Sequence, residues 1–490
     1  YYKEWVIMGV LTKLEPASVF HYFEEICSIP HTSHHEKALS DYCVQFAKAH
    51  GLACRQDEMG NVLIKAPATP GYENQPALIL QGHLDMVCEK TADSGHDFAK
   101  DPLELYVEDG FVKARNTTLG ADDGIAVAMI LALLDEKDAV HPPIEAVFTA
   151  DEETGMGGAK ALDLQLLKGR KLINIDSEEE GILTVGCAGG ISCHTSFPLD
   201  FSSREGEVVK ITISGLTGGH SGSEINRQRA NALKLSGRLL YEASRSTQLF
   251  LMDAGGGGKE NVIASQAEIL LMAEHPSALM EAAVKMEALW KEEFMDEEPN
   301  LSVQTEKRGM QTANVVSAET TKKIVAYLMA APDGPVGYNR TLPGLVETSL
   351  NHGIMAVREG YLTIDTLVRS SLGSKKAELA ERLKILAGLC GASFRADNEY
   401  PGWAYKKESS LRELMTRTYR EMFGRDPEVL TIHAGLECGL FLDKKKDLDC
   451  VSFGPTMIDI HTTEEKLSIP STEKMWKYLV HTLEKMNTIR

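Results

Sequence analysis

The sequence predicts an α/β protein: a mostly parallel, twisted sheet flanked by helices, interrupted by an inserted α+β domain. Three observations carry that expectation. Short β-rich runs alternate with helical stretches up to the acidic triplet Glu178-Glu179-Glu180, the pattern of a parallel sheet covered on both faces. The texture then changes, and the first pattern returns near Tyr400. At 490 residues the chain also exceeds what one hydrophobic core supports, so two domains are expected.

Taken in order, residues 19–27 and 36–50 read as helices, the second with Ser33 as its cap and Gly51 as its stop signal. Residues 61–66 and 76–80 read as strands. An apolar helix over 124–134 follows Asp122-Asp123, and 144–149 and 171–175 are further short strands. In the changed region, 190–195, 208–213 and 267–273 read as strands and 230–244 and 277–294 as helices. The glycine run 255–258 reads as a flexible loop. Strands at 322–328, 353–358 and 362–369 and a helix at 375–389 complete a set best explained by antiparallel strands with helices on one face. The chain closes with a helix at 409–423, a strand at 450–453 and a helix at 472–486. The expected boundaries are 8–189 and 399–490 for the two parts of the main domain and 190–398 for the insertion. Residues 1–7 are expected to be upstream or added sequence before a natural start at Met8-Gly9. No strong internal repeat is evident.

A formal charge of −20 argues against a nucleic-acid or anionic-membrane surface. No apolar run approaches the ~20 residues that span a bilayer, and the start lacks the parts of a secretory signal. The nine cysteines are odd in number and include no C-x-x-C pair, which argues against a disulfide framework or a zinc–thiolate site. Reduced thiols in a cytoplasmic compartment are expected.

Chemistry concentrates in five islands: His83-Leu84-Asp85, Asp122-Asp123-Gly124, Asp151-Glu152-Glu153, Asp176 and His461. The first four follow apolar runs, and ligands of parallel sheets gather at the carboxyl ends of strands. In an extended segment His83 and Asp85 share a face, so His83 can bind a metal while Asp85 orients it; a local His–Asp hydrogen bond at a strand end is the alternative. Asp122 either caps the helix behind it or offers one oxygen to each of two ions ~3.5–4 Å apart. Asp151, Glu152 and Glu153 repel one another unless cations lie near. Their side chains diverge, so Glu153 can reach a metal while Glu152 faces a substrate as general base and acid; a solvated acidic loop is the plainer reading. Asp176 is the candidate ligand of the second ion, Glu178-Glu179-Glu180 reads as a solvated run, and His461 completes the ligand set.

The order and spacing of these islands resemble the cocatalytic zinc metallopeptidases, the clan of carboxypeptidase G, aminoacylase and the carnosinases, and within it the aminoacyl-histidine dipeptidase branch. The phrases that carry the likeness are Ile29-Pro-His-Thr-Ser, Leu80-Gln-Gly-His-Leu-Asp-Met-Val, Leu119-Gly-Ala-Asp-Asp-Gly, Ala150-Asp-Glu-Glu-Thr-Gly, Gly215-Leu-Thr-Gly-Gly-His-Ser-Gly and Ile432-His-Ala-Gly-Leu-Glu-Cys-Gly. They run through nearly the whole chain. The resemblance implies a zinc-peptidase fold, with 8–189 and 399–490 as catalytic domain and 190–398 as a lid that recognises substrate. It implies zinc ligands at His83, Asp122 (bridging), Glu153, Asp176 and His461, and catalytic roles for Asp85 and Glu152. Such a donor set also accepts cobalt or manganese. His220 resembles the clan's lid histidine that steadies the oxyanion, from its own chain or a partner's; an exposed histidine in a glycine-flanked turn is the alternative. Arg369 resembles the lid arginine that grips the substrate carboxylate, with a surface salt bridge as the alternative. Asn261 and Arg340 are further substrate-binding candidates, and Glu437 is a candidate for the substrate's free amine.

The implied activity is hydrolysis of dipeptides with a free amino terminus, Xaa-His among them, by a homodimer with two divalent metals. A deacylase or tripeptide aminopeptidase of the same clan is the nearest rival, and a non-catalytic metal-bound peptide receptor the rival from another class.

Overall fold

The structure, a computed structural model, describes residues 9–489; the expectation for residues 1–7 lies outside them. Two compact units are present. The first takes the chain up to Val185, Tyr405–Thr431 and Leu440 onward; the second takes Gly186–Ala404 and Ile432–Gly439.

The first unit is built on an eight-stranded sheet. Its centre runs in the order Ile144–Thr149, Leu78–His83, Lys171–Asn174, Asp449–Ser452, all mutually parallel. Val62–Ala66 and Ala53–Gln56 continue it antiparallel on one side, and Ile182–Cys187 and Glu428–Ile432 lie on the other. Every residue of Leu78–His83 and Ile144–Thr149 is buried, as strands covered on both faces require. Helix Ala121–Asp135 is apolar around its whole circumference and buried over thirteen consecutive residues, the signature of a core helix rather than a surface one. Helix Ala17–Cys27 and strand Leu78–His83 pack against it. A smaller four-stranded sheet joins Met457–Ile458, Lys466–Ser468, Phe111–Ala114 and Leu105–Glu108.

Helix Lys37–Ala49 ends near Gly51, whose φ of 67° and N–H bond to the Lys48 carbonyl close it as anticipated. Its start differs from expectation. Ser33 makes no cap; its hydroxyl donates instead to Asp85 Oδ2 at 2.8 Å.

The second unit is a nine-stranded antiparallel sheet in the order Ser302–Val316, Phe201–Ser214, Ala267–Ala273, Leu249–Gly257, Val346–Arg358, Tyr361–Ser370, Gly189–Pro198, Ser393–Tyr400, with Gly334–Tyr338 also pairing Val346–Arg358. Helices Ala232–Ser244, Pro276–Phe294, Ala318–Ala330 and Gly373–Leu389 share one core with alternating strand residues such as Val209, Ile211, Ile213, Leu362 and Ile364. Ile432–Gly439 joins this unit through the Ala188 N–H bonds to the Ile432 and Ala434 carbonyls and the His433–Ser349 contact.

Two readings of this region need correction. Residues 322–328, rich in β-branched and aromatic side chains, are helical. The Ser317 hydroxyl accepts from Thr320 N–H at 3.1 Å and starts Ala318–Ala330. Thr321, Ile324, Val325 and Leu328 then fall inward at helical spacing. The glycine run is also no loop over most of its length, since Gly255, Gly256 and Gly257 pair with Ala356, Met355 and Ile354 inside the sheet. A Cβ on Gly256 would stand 2.6 Å from the Gln266 carbonyl and 2.7 Å from Leu233, so glycine serves close packing there.

Candidate metal centre

Parallel register delivers the first unit's acidic residues to one edge. His83 lies opposite Thr149, and Gln81 opposite Asn174, so three strands leave the sheet together. The residues just beyond them are Asp85, Asp151-Glu152-Glu153 and Asp176. Helix Ala121–Asp135 presents Asp122 from its first turn, and the hairpin between Met457–Ile458 and Lys466–Ser468 presents His461.

Asp122 stands at the centre of the cluster. Its Oδ1 is 3.1 Å from His83 Nε2, and its Oδ2 is 3.1 Å from His461 Nε2. Asp176 Oδ1 lies 3.8 Å from His83 Nε2, and Glu153 Oε1 lies 2.9 Å from His461 Nε2. The donors therefore form two triads that share one carboxylate. His83 also comes within ligand-sharing distance of Glu153, and of Asp123 with Asp176.

The charge balance calls for cations. Burial works against the Asp122 charge, yet hydrogen bonds from His461 and His83 hold its carboxyl well below the usual range. Burial likewise opposes a charged His461, but Asp122 and Glu153 push it up to about 10. Burial, followed by repulsion from Asp123, drives Asp176 well above the usual range. Imidazole and carboxylate donors of this kind suit zinc, cobalt or manganese, and ions in the two triads would supply the positive charge that imidazole protons otherwise provide.

Asp85 organises the surroundings. His83 Nδ1–H donates to its backbone carbonyl at 3.0 Å, which turns Nε2 toward the triad. Its carboxylate accepts the N–H groups of Glu152 at 2.8 Å and Glu153 at 3.1 Å, besides the Ser33 hydroxyl. Burial opposes its ionisation, but the bonds from His83 and the Glu152 amide hold it at about 2.

One residue of this site escaped the sequence reading, and another was named there without a role. Glu465 is buried, and its oxygens accept the N–H groups of Leu119 at 2.7 Å, Gly120 at 3.0 Å, Ala121 at 2.8 Å and Asp122 at 3.4 Å. It satisfies the start of helix Ala121–Asp135, which frees the Asp122 side chain from the capping role weighed for it. The available signal was an acid four residues beyond His461. Asp123, joined to Asp122 by a cis peptide bond, accepts the His83 N–H through Oδ2 at 3.1 Å.

The remaining candidates lie in the second unit. His220 Nδ1 accepts the N–H groups of Gly222 at 3.3 Å and Ser223 at 3.1 Å, so Nε2 carries the proton and can donate. Burial, and then the Arg369 charge, lowers its pKa and favours the neutral ring. Arg369 is 5% exposed; its Nη1 donates to the Tyr400 hydroxyl at 2.8 Å, while its Nε has no partner among the described residues. No described carboxylate forms an ion pair with it. His433 was not anticipated: burial, then the charge of Arg369, lowers it to about 3, and its Nε2 meets Ser349 Oγ at 2.7 Å. This cluster can receive an anion. The Asn261 carbonyl accepts the Ser221 N–H at 2.8 Å, beside His220. Arg340 is exposed after strand Gly334–Tyr338, and Glu437 is fully buried at the head of helix Glu437–Lys444.

Comparison with known proteins places these features. The sequence profile of peptidase family M20/M25/M40 matches residues 79–485. A cytosol non-specific dipeptidase of Escherichia coli (strain K12) is 38% identical over 483 residues, covering 98% of this chain and 99% of that protein. The crystal structure of an aminoacylhistidine dipeptidase from Vibrio alginolyticus superposes with a TM-score of 0.90 at 38% identity, covering 98% of each chain. Aminopeptidase PepT from Bacillus cereus shares the fold at a TM-score of 0.55 and 15% identity, over 97% of this chain and 99% of that one.

Proposed function

The chain belongs to peptidase family M20/M25/M40 and is a metallopeptidase, and from that premise we propose that it hydrolyses dipeptides with a free amino terminus, Xaa-His dipeptides among them, at a centre of two zinc ions. The observation that carries the reading is the division of Asp122 between two triads, one oxygen toward His83 and the other toward His461. His83, Asp122 and Asp176 would hold one ion, and His461, Asp122 and Glu153 the other; cobalt or manganese fits the same donors. Ions bound there supply Lewis-acid polarisation of the scissile carbonyl and a water of lowered pKa.

The chain's own groups do the rest. Glu152, whose N–H is anchored to Asp85, takes the proton of the attacking water and returns it to the departing amine. Asp85 keeps His83 in its ligating tautomer and keeps the Glu152–Glu153 turn in place. His220, with its Nε2–H free of the turn it closes, steadies the oxyanion. Arg369 grips the C-terminal carboxylate, a role that suits a buried guanidinium with no ion-paired carboxylate among the described residues. Asn261 and Arg340 assist at the substrate backbone, and Glu437 receives the free amine. A homodimer belongs to the same reading. So does a reducing cytoplasmic compartment, supported by the name of the Escherichia coli relative. No described helix is long and apolar enough to cross a membrane.

Glu152→Ala tests the assignment. The variant should keep the wild-type metal content and lose turnover across a panel of carnosine, other Xaa-His dipeptides and Cys-Gly. Comparable turnover in the variant would remove Glu152 as the base. Preferential cleavage of Ala-Ala-Ala or N-acetyl amino acids by the wild type would instead favour the related aminopeptidase or deacylase.

A further inference from the structure

The second unit holds another constellation of metal-binding residue types, one that the dipeptidase reading does not use. His194, on Gly189–Pro198, stands directly opposite Asp365 on Tyr361–Ser370. On its other flank, strand Ser393–Tyr400 brings Asp397 opposite Ser192. Cys193, Phe197, Ile364 and Val368 turn into the core, so His194 and Asp365 project from the opposite face of the sheet. Glu260 arrives from the chain just beyond Leu249–Gly257.

The side chains converge on one imidazole nitrogen. Asp365 Oδ1 lies 2.8 Å and Glu260 Oε1 3.9 Å from His194 Nδ1, and the three donor atoms fall within 4.8 Å of one another. Asp397 Oδ1 lies 3.0 Å from His194 Nε2. The Ser192 hydroxyl donates to Glu260 Oε2 at 2.5 Å, which leaves Oε1 directed at the ring.

We propose that His194 Nδ1, Asp365 and Glu260 form a third divalent-cation site, separate from the dinuclear centre and selective for zinc-class ions that accept imidazole and carboxylate donors. Four features support it. One imidazole with two carboxylates is a zinc donor set that leaves a position for water. The nitrogen–oxygen spacings of 2.8 and 3.9 Å repeat the 2.9 to 3.8 Å found in the catalytic triads. Asp397 on Nε2 is the carboxylate–histidine arrangement that orients a ligating ring and raises its basicity. Finally, Arg395 pairs with Asp397, but among the described residues no lysine or arginine pairs with Asp365 or Glu260. A single imidazole therefore faces two carboxylates that lack other cations, with side chains 18 to 26% exposed and open to an entering ion.

Coordination replaces the Nδ1 proton, which leaves to solvent. The bound ion ties two strands to the segment after Gly257. That segment supports the His220 turn: the Asn261 carbonyl accepts the Ser221 N–H, and Val262 bridges His220. The ion thus steadies the turn from behind.

The test uses the full chain, stripped with chelator and titrated with zinc. Bound metal is counted by mass spectrometry, and the melting temperature is followed as zinc is raised beyond two equivalents. Wild type should bind three ions per chain and gain melting temperature with the third. Asp365→Asn and Glu260→Gln should each bind two and lose that gain. Two ions in the wild type, or three in both variants, would overturn the proposal and leave His194 as an ion-paired imidazolium. Glu260→Gln preserves the His194–Asp365 pair, so it remains informative if Asp365→Asn does not fold.

Discussion

Glu465→Gln is the most informative substitution in the first unit. One carboxylate there serves four backbone N–H groups: Leu119 and Gly120 through Oε2, and Ala121 and Asp122 through Oε1. Glutamine keeps one accepting oxygen and turns its NH₂ against the other pair. If the oxygen stays with Leu119 and Gly120, one sound bond at 2.8 Å and one long contact at 3.4 Å are lost. A buried N–H left unsatisfied costs about 1–3 kcal/mol, so the variant should lose about 2–4 kcal/mol of unfolding free energy. The same change loosens the turn that carries Asp122, and outer partners of this kind are worth about 10–100-fold in metal affinity. Urea unfolding of the chelated protein measures the first quantity, and zinc titration measures the second. A loss below about 0.5 kcal/mol together with unchanged metal affinity would refute the positioning role.

Two further outcomes follow from the second unit. Buried His352 is held neutral, accepting from the Thr366 hydroxyl at 2.8 Å and donating to the Pro332 carbonyl at 3.0 Å. Burial, then the Lys234 charge, lowers its pKa to about 4. Because the unfolded ring takes its proton first, the stability this residue contributes is complete above the ordinary value of 6.5 and is lost as pH falls toward 4. The unfolding free-energy gap between wild type and His352→Gln should therefore narrow over that window in urea titrations, and parallel curves would contradict it. Gly257→Ala should lower the melting temperature, because φ is 69° and the added Cβ would sit 1.9 Å from the Gly353 carbonyl. The left-handed backbone alone costs about 1–2 kcal/mol, so an unchanged melting temperature would show that the strand can move aside.

The first unit was legible wherever local chemistry and strand periodicity coincide. His83, Thr149 and Asn174 end all-buried or nearly all-buried strands, and parallel pairing by itself carries Asp85, Glu152, Glu153 and Asp176 to one edge. Where a residue's partner is distant in sequence, its local context misleads. Ser33 looks like a helix cap, yet it serves Asp85, 52 residues away. Glu464 and Glu465 look alike, yet only the second reaches back 346 residues to Leu119. Residues 322–328 have strand-forming side chains, but the Ser317 cap and a core on one side make them helical.

Sequence by itself determined which candidate metal-binding groups exist and which strand ends present them, because side-chain alternation and apolar runs are properties of a few consecutive residues. Only the tertiary structure decided that Asp122 divides its oxygens between His83 and His461, that Glu465 releases it to do so, and that His194 meets Asp365 and Glu260 in the second unit. The reason is one of range. Ligand geometry turns on distances of about 3 Å between side chains hundreds of residues apart, and such distances are set by strand register and burial that no local pattern encodes.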